Sequence, residues 1–394
     1  MIAPNPFFVN RGFGVLVLEQ ARALKRRGIH VEVVAYHTGQ ELPDLTVHRT
    51  LPFPGYSASK IGPSLSRLPL WVLLLVKTFL VARRMRPDVL HGHLHEGALI
   101  AAIVARLTGI PWVFDFQGSL TLEMAEKGAL RRGSMPFRAV AFVEGMIDRR
   151  ALLIFVKSQL MENDLVDRFR VDATRILRVM DGADPDIFSP READAELRRQ
   201  LGIDEAATVI CYLGLLTLQQ GTERLLAATA QIVKQQPNVH MLIIGYPIDG
   251  WDARARELGI ERHVTFTGQV DHHLAPEYLA VADLAAAPKV SDAEGNVKVY
   301  DYMSMALPVV AIDSTGNREL LGDDGYYVTG HEPDDFARGV MAALAARGEW
   351  QERGERLRAR IVEELSWDSV AARLNEGYRD VSTDAFADGP TANV

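Results

Sequence analysis

The stretch Pro288 to Asp313, PKVSDAEGNVKVYDYMSMALPVVAID, puts acidic residues, a Gly-Asn turn and a lysine beside one predicted helix start. Free backbone N–H groups and the positive end of a helix dipole suit such a start to an anion, and Lys298 adds a full charge beside them. Together they read as a cradle for a nucleotide diphosphate. The apolar strand Leu284 to Ala287 leads in, Gly295-Asn296 supplies a tight turn, and the helix is predicted over Lys298 to Met305, ended by Leu307-Pro308. Glu294 and Asp301 flank the site. Carboxylates repel phosphate, so their work is to accept hydrogen bonds from sugar and ribose hydroxyls. Taken alone, the window fits an ordinary strand, loop and helix with solvated charges equally well.

A second cluster, His91, Gly92, His93, His95 and Glu96, follows a strand and so belongs at the carboxyl edge, where open α/β sheets bind ligands. Three histidines raise the question of zinc, yet no nearby cysteine or carboxylate completes a tetrahedral set, and no metal is expected. His91 is assigned to packing at the strand end. His93 and Glu96 are the members placed to meet a ligand there, with Glu96 alternatively capping a helix predicted from Gly97. Gly12 and Gly14 lie in a loop from Asn10 that lets the first helix approach a phosphate or acceptor closely. Glu319 reads as the start of a helix after Gly316, and Arg318 as a surface ion pair or a site residue.

These residues need a scaffold, and the chain supplies the pattern for one. Its 394 residues suit two α/β domains, and short apolar runs alternate with amphipathic helix-length segments throughout. The first series comprises strands Val31 to Tyr36, Val89 to His91, Trp112 to Phe116 and Leu152 to Val156. The second comprises Val209 to Leu213, Met241 to Ile244, Val264 to Phe266, Leu284 to Ala287 and Val309 to Ile312. The motif Asp181-Gly182-Ala183-Asp184-Pro185 breaks both periodicities, which gives domains at 1–180 and 181–366. A helix over 367–380 is expected to return to the first domain, ahead of a disordered tail at 381–394. The opening strand is reduced to Ile2-Ala3 or missing, which leaves a start further upstream open.

The net charge of -8 argues against a general nucleic-acid binder. A single cysteine, Cys211, inside an apolar run, reads as buried and inert and fits a reducing cytoplasm. The longest apolar run, Pro69 to Ala82, contains Lys77 and is too short to cross a bilayer. The surrounding helix, Leu70 to Met85, is apolar nearly all round and ends in Arg83, Arg84 and Arg86. It reads as a buried helix of the first domain. The functional alternative is docking at the inner face of an anionic membrane, with Arg131, Arg132 and Arg138 extending the face.

In order and spacing the motifs resemble the family 4 glycosyltransferases. The resemblance rests on Leu24 to Gly28, Arg86 to His93, Gly109-Ile110-Pro111, Asp181 to Asp184 with Phe188, Tyr212-Leu213-Gly214 with Gln220-Gly221, Phe266-Thr267-Gly268, and Asp301-Tyr302-Met303 with Leu307 to Ala311. It implies the GT-B fold, two doubly wound Rossmann-like domains across a cleft, and retaining transfer of a sugar from a nucleotide diphosphate to an acceptor hydroxyl without cofactor or metal. The implied catalytic set is Lys298, Glu294, His93, Glu96 and Gln117. The implied donor-binding set is Gly12, Gly14, Gly214, Gln220, Gly221, Gly245, Val270, Gly295, Asn296, Val297 and Asp301.

Four positions depart from the family pattern. Leu215 and Gln220 stand where an arginine and a lysine commonly hold the diphosphate, so two charge-assisted contacts are lost, with Lys298 and Lys289 the nearest replacements in sequence. Glu294 and Asp301 are seven apart rather than eight, Gln117-Gly118 replaces a histidine-glycine, and the linker reads Asp-Gly-Ala-Asp. A subgroup with its own donor geometry is the preferred reading. The alternatives are a nucleotide-sugar-binding protein without catalysis and a sugar-nucleotide epimerase. The acceptor is left open among a glycan, a lipid-linked precursor and a small molecule.

Overall fold

The computed structural model describes residues 1–7, 12–53, 68–126, 128–290 and 296–387. It divides into two compact units, Met1–Asp181 with Trp367–Val394, and Gly182–Ser366.

The first unit is built on a parallel seven-stranded sheet. Its strands are β1 (Ile2–Ala3), β2 (Glu32–Ala35), β3 (Thr46–Arg49), β4 (Leu90–His93), β5 (Trp112–Asp115), β6 (Leu153–Val156) and β7 (Ile176–Arg178), in the spatial order β3-β2-β1-β4-β5-β6-β7. The short opening strand β1 sits at the centre, pairing with both β2 and β4. The chain order reverses there, so β1 and β4 flank the switch point at which such sheets bind ligands. Close approach at this junction needs glycine: a Cβ on Gly92 would lie 2.7 Å from Ala98 backbone atoms, and one on Gly97 would lie 2.8 Å from the Ile2 carbonyl oxygen.

The second unit carries a parallel six-stranded sheet of β8 (Thr208–Leu213), β9 (Val239–Ile244), β10 (Val264–Phe266), β11 (Leu284–Ala287), β12 (Val309–Ile312) and β13 (Tyr326–Val328), in the order β10-β9-β8-β11-β12-β13. Here the switch point lies between β8 and β11. Cys211 is buried in β8, where loss of water pushes its thiol pKa up and keeps it unreactive.

Several boundaries differ from the sequence reading. The strands β3, β7 and β13 were not expected; all three lie at sheet edges, where only part of each strand is buried and the apolar run is short. The first helix begins at Gly12, so Gly12 and Gly14 form its first turn rather than a loop. The helix after β4 spans Leu94–Thr108, which places Glu96 in its first turn and His93 at the cap position. The last helix runs from Trp367 to Ala387, seven residues beyond the expected end at 380, and residues 388–394 lie outside the described ones. Its inner face packs into the first unit through Trp367, Val370, Ala371 and Leu374, against Leu24, Val113 and Phe155.

Candidate functional site

In the second unit the loops after β8 and β11 meet at the switch point. Gly221, with φ 85°, caps the helix Thr222–Gln235, and a Cβ there would lie 2.6 Å from the Pro288 carbonyl oxygen. Arg224 donates to that same oxygen over 2.7 Å, so the two loops are tied together. Gly214, at φ 137°, opens a path for Lys298, whose Cε would be 3.0 Å from a Cβ at that position. Gly245 serves the packing beneath: a Cβ on it would fall 1.9 Å from the Gly214 carbonyl oxygen.

The helix Val297–Ser304 follows, held to the end of β8 by Leu213 N–H donating to the Tyr302 hydroxyl over 2.7 Å. Lys298 itself donates to Gln220 Oε1 over 2.8 Å and lies 3.5 Å from Asn296 Oδ1. Its ammonium also sits 5.1 Å from the centre of the Tyr212 ring. Asn296 is fixed in turn by the buried Asn317, which accepts over 3.1 Å and donates to the Ile312 carbonyl. Burial, and then the charge of Lys289, lower the Lys298 pKa to about 7, against the opposing pull of Asp301. The lysine thus lies inside the site with its charge poorly compensated, the condition in which an incoming diphosphate gains most.

The structure brings Lys298 of the predicted catalytic set together with Gln220, Asn296, Val297, Gly214, Gly221 and Gly245 of the predicted donor set. Asp301 is buried three residues along the helix and pairs with His272 over 3.5 Å, a partner the sequence did not suggest. Val270 lies in the loop after β10, while Glu294 and Gly295 lie outside the described residues. Arg318 pairs with Asp313 and stacks its guanidinium 4.2 Å from the Tyr327 ring centre.

The first unit holds a different arrangement at the carboxyl ends of β4 to β6. Parallel register sets His93 opposite Asp115, and His93 Nδ1 lies 2.8 Å from Asp115 Oδ2. Lys157 reaches Asp115 over 3.1 Å and Asp181 over 3.4 Å, and Gln117 donates to Asp115 over 2.7 Å. His91 stacks on His93, with ring centres 4.2 Å apart, and its Nδ1 lies 2.7 Å from the Tyr378 hydroxyl. Burial would raise the Asp115 pKa, but Lys157 and His93 hold it below the ordinary carboxylate range. Burial lowers both histidines, His91 strongly, despite Asp115.

Two expectations are corrected here. A carboxylate does complete a group with the histidines: His91, His93 and Asp115 offer atoms within 4.8 Å of one another, the one such group among the described residues. The Lys157 ammonium already pairs with its carboxylate, which makes the group part of a buried ion-pair network. Second, His93 is fully buried and turned onto Asp115, so in this conformation it supports the edge of the sheet rather than meeting an acceptor. Glu96 and Gln117 are half-buried. Leu94, immediately after His93, takes φ 57°, a left-handed conformation costly for a branched side chain, of the kind that gathers at functional sites.

Comparison with known proteins decides the family. Residues 11–182 match the "Glycosyl transferase 4-like domain" and residues 207–346 match "Glycosyl transferases group 1". The chain belongs to the family 4 glycosyltransferases. Curated relatives of this glycosyltransferase include the D-inositol 3-phosphate glycosyltransferase of Segniliparus rotundus, 25% identical over 93% of this chain and 84% of the relative. That of Mycobacterium sp. (strain JLS) is 28% identical over 86% and 78%. Among solved structures, Thermosynechococcus elongatus sucrose-phosphate synthase superposes with a TM-score of 0.78 at 20% identity, covering 97% of this chain and 96% of that one. Anabaena HepE in complex with UDP gives 0.77 at 18% identity, covering 96% and 99%. These likenesses establish the GT-B fold. The protein is a retaining glycosyltransferase that uses a nucleotide-sugar donor.

Proposed function

We propose that the second unit holds the donor diphosphate on Lys298, the amino end of the helix Val297–Ser304 and the Gly214 loop. The observation that carries this is the Lys298 to Gln220 hydrogen bond. Gln220 stands where the family resemblance places a lysine, and Lys298 brings an ammonium to that place from the other loop. The missing charge is thereby restored from a different position in sequence. Asp301 accepts a hydrogen bond from the ribose and Glu294 from the donor sugar; Gln117 and Glu96 face the acceptor. The acceptor hydroxyl attacks the face that the diphosphate leaves, so the protein's contribution is orientation and stabilisation of charge on the leaving group. UDP, found in HepE, is the proposed nucleotide, and a lipid-linked or cell-surface glycan precursor the proposed acceptor.

Donor binding should be sensitive to pH in a defined direction. Lys298 in the free protein loses its proton near pH 7. Bound diphosphate favours the charged form, so binding above that pH must take up a proton. UDP affinity, measured by calorimetry, is expected to fall on the order of tenfold per unit between pH 7.5 and 9. The slope should vanish in Lys298→Ala. Affinity independent of pH in the wild type would remove Lys298 from the diphosphate.

A further inference from the structure

The helix Leu68–Met85 is apolar on both sides. Its inner face buries Leu70, Leu74, Thr78 and Ala82, in agreement with the expected core helix. Its outer face exposes Leu68, Val72, Val76 and Leu80, each 49–59% accessible and spaced every fourth residue. This row spans about 18 Å along the helix. Scattered exposed aliphatics are ordinary on any protein, but an unbroken row is not. The helix Met135–Asp148 repeats the pattern with Met135, Phe142 and Val143 exposed, at 77%, 68% and 43%. Both helices pack on Leu94–Thr108, and residues of all three share one core on the same side of the sheet.

Charge separates the possible occupants. No Asp or Glu occurs from Leu68 to Pro87 or from Ala129 to Val143, although the chain as a whole carries -8. The charged residues in these two segments are Lys77, Arg83, Arg84, Arg86, Arg131, Arg132 and Arg138. Arg83 lies along the helix, 5.7 Å from the Phe79 ring centre, as a side chain does when it covers apolar surface with its stem. A two-fold pairing of this surface with a second copy would set arginines against arginines. An anionic bilayer offers acyl chains to the aliphatic row and phosphates to the arginines, and stable attachment needs both signals. Among the described residues no helix is long and apolar enough to cross a membrane, so the contact would be peripheral.

We propose that the outer faces of Leu68–Met85 and Met135–Asp148 dock this enzyme on an anionic lipid surface. This deepens the reading of a lipid-linked acceptor and rests on it for its purpose, while the surface itself can be tested without donor or acceptor. The full chain is sedimented with vesicles of phosphatidylcholine, with and without 30 mol % phosphatidylglycerol, a composition of about one charged lipid in three. Binding is expected to be at least about tenfold tighter with the anionic lipid and to weaken with salt. The exposed substitutions Val76→Glu and Leu80→Glu together should abolish it while leaving the circular dichroism spectrum and UDP binding unchanged. Arg83→Ser with Arg84→Ser should remove the preference for anionic lipid. Equal binding to both vesicles, no binding to either, or self-association that Val76→Glu abolishes without any vesicle binding would each overturn the proposal. UDP binding retained in any of these cases leaves the transferase reading intact.

Discussion

Lys298→Ala is expected to lower turnover on the order of a hundredfold, in line with removal of one preorganised charge from a leaving group. The lysine meets Gln220, Asn296 and the Tyr212 ring, and only its half-buried stem adds to packing, so the unfolding midpoint should move little. Glutamine at 220 cannot take over, because it offers a neutral donor where charge is needed. Steady-state kinetics on purified variant and wild type would show the loss mainly in kcat, since charge on the diphosphate is greatest as the glycosidic bond breaks. Turnover at the wild-type level would take Lys298 out of the site.

Lys157→Met is expected to act on stability. Lys157 lies between Asp115 and Asp181, both buried, and its removal leaves two carboxylates without a cation. Breaking such a group costs roughly 3–5 kcal/mol. Burial already raises the Asp181 pKa, and without the lysine both carboxyls would be driven toward their neutral forms in the folded chain. A carboxyl whose folded pKa exceeds its unfolded value destabilises increasingly as pH rises between the two. The defect should therefore be larger at pH 8 than at pH 5. Urea unfolding at the two pH values would show this, and an unchanged midpoint at pH 8 would mean that the network is not coupled to the fold.

How far the sequence led depended on whether a residue's partners were local. Central strands such as β8 and β11 are continuous apolar runs buried along their length and were legible at once. The edge strands Thr46–Arg49, Ile176–Arg178 and Tyr326–Val328 are short and incompletely buried, so they lack that signature. Lys298 stood out because it opens a helix beside a Gly-Asn turn. Its bond to Gln220, 78 residues away, depended on two loops meeting at the switch point. Asp115 and Lys157 escaped notice because each is a single charge in its own segment, and Asp181 was read only as part of the linker motif; parallel register gathers them. Their one signal was a charge closing or directly following an otherwise apolar strand, WVFD for Asp115 and LIFV before Lys157. For the helix Leu68–Met85 the sequence left a core helix and a membrane-docking one both open, since a helix apolar all round does not show which residues face out until its exposed row is seen.

The most direct measurement of the central claim is the anomeric configuration of the product. The enzyme is incubated with an α-linked UDP-sugar and an accepting glycan precursor in EDTA, and the configuration of the new glycosidic bond is read by proton NMR from its anomeric coupling constant. Retention of the α configuration with release of UDP, undiminished by the chelator, is the expected result if, as proposed, Lys298 and a helix end meet the leaving charge. A β product, or transfer that requires added magnesium or manganese, would contradict it.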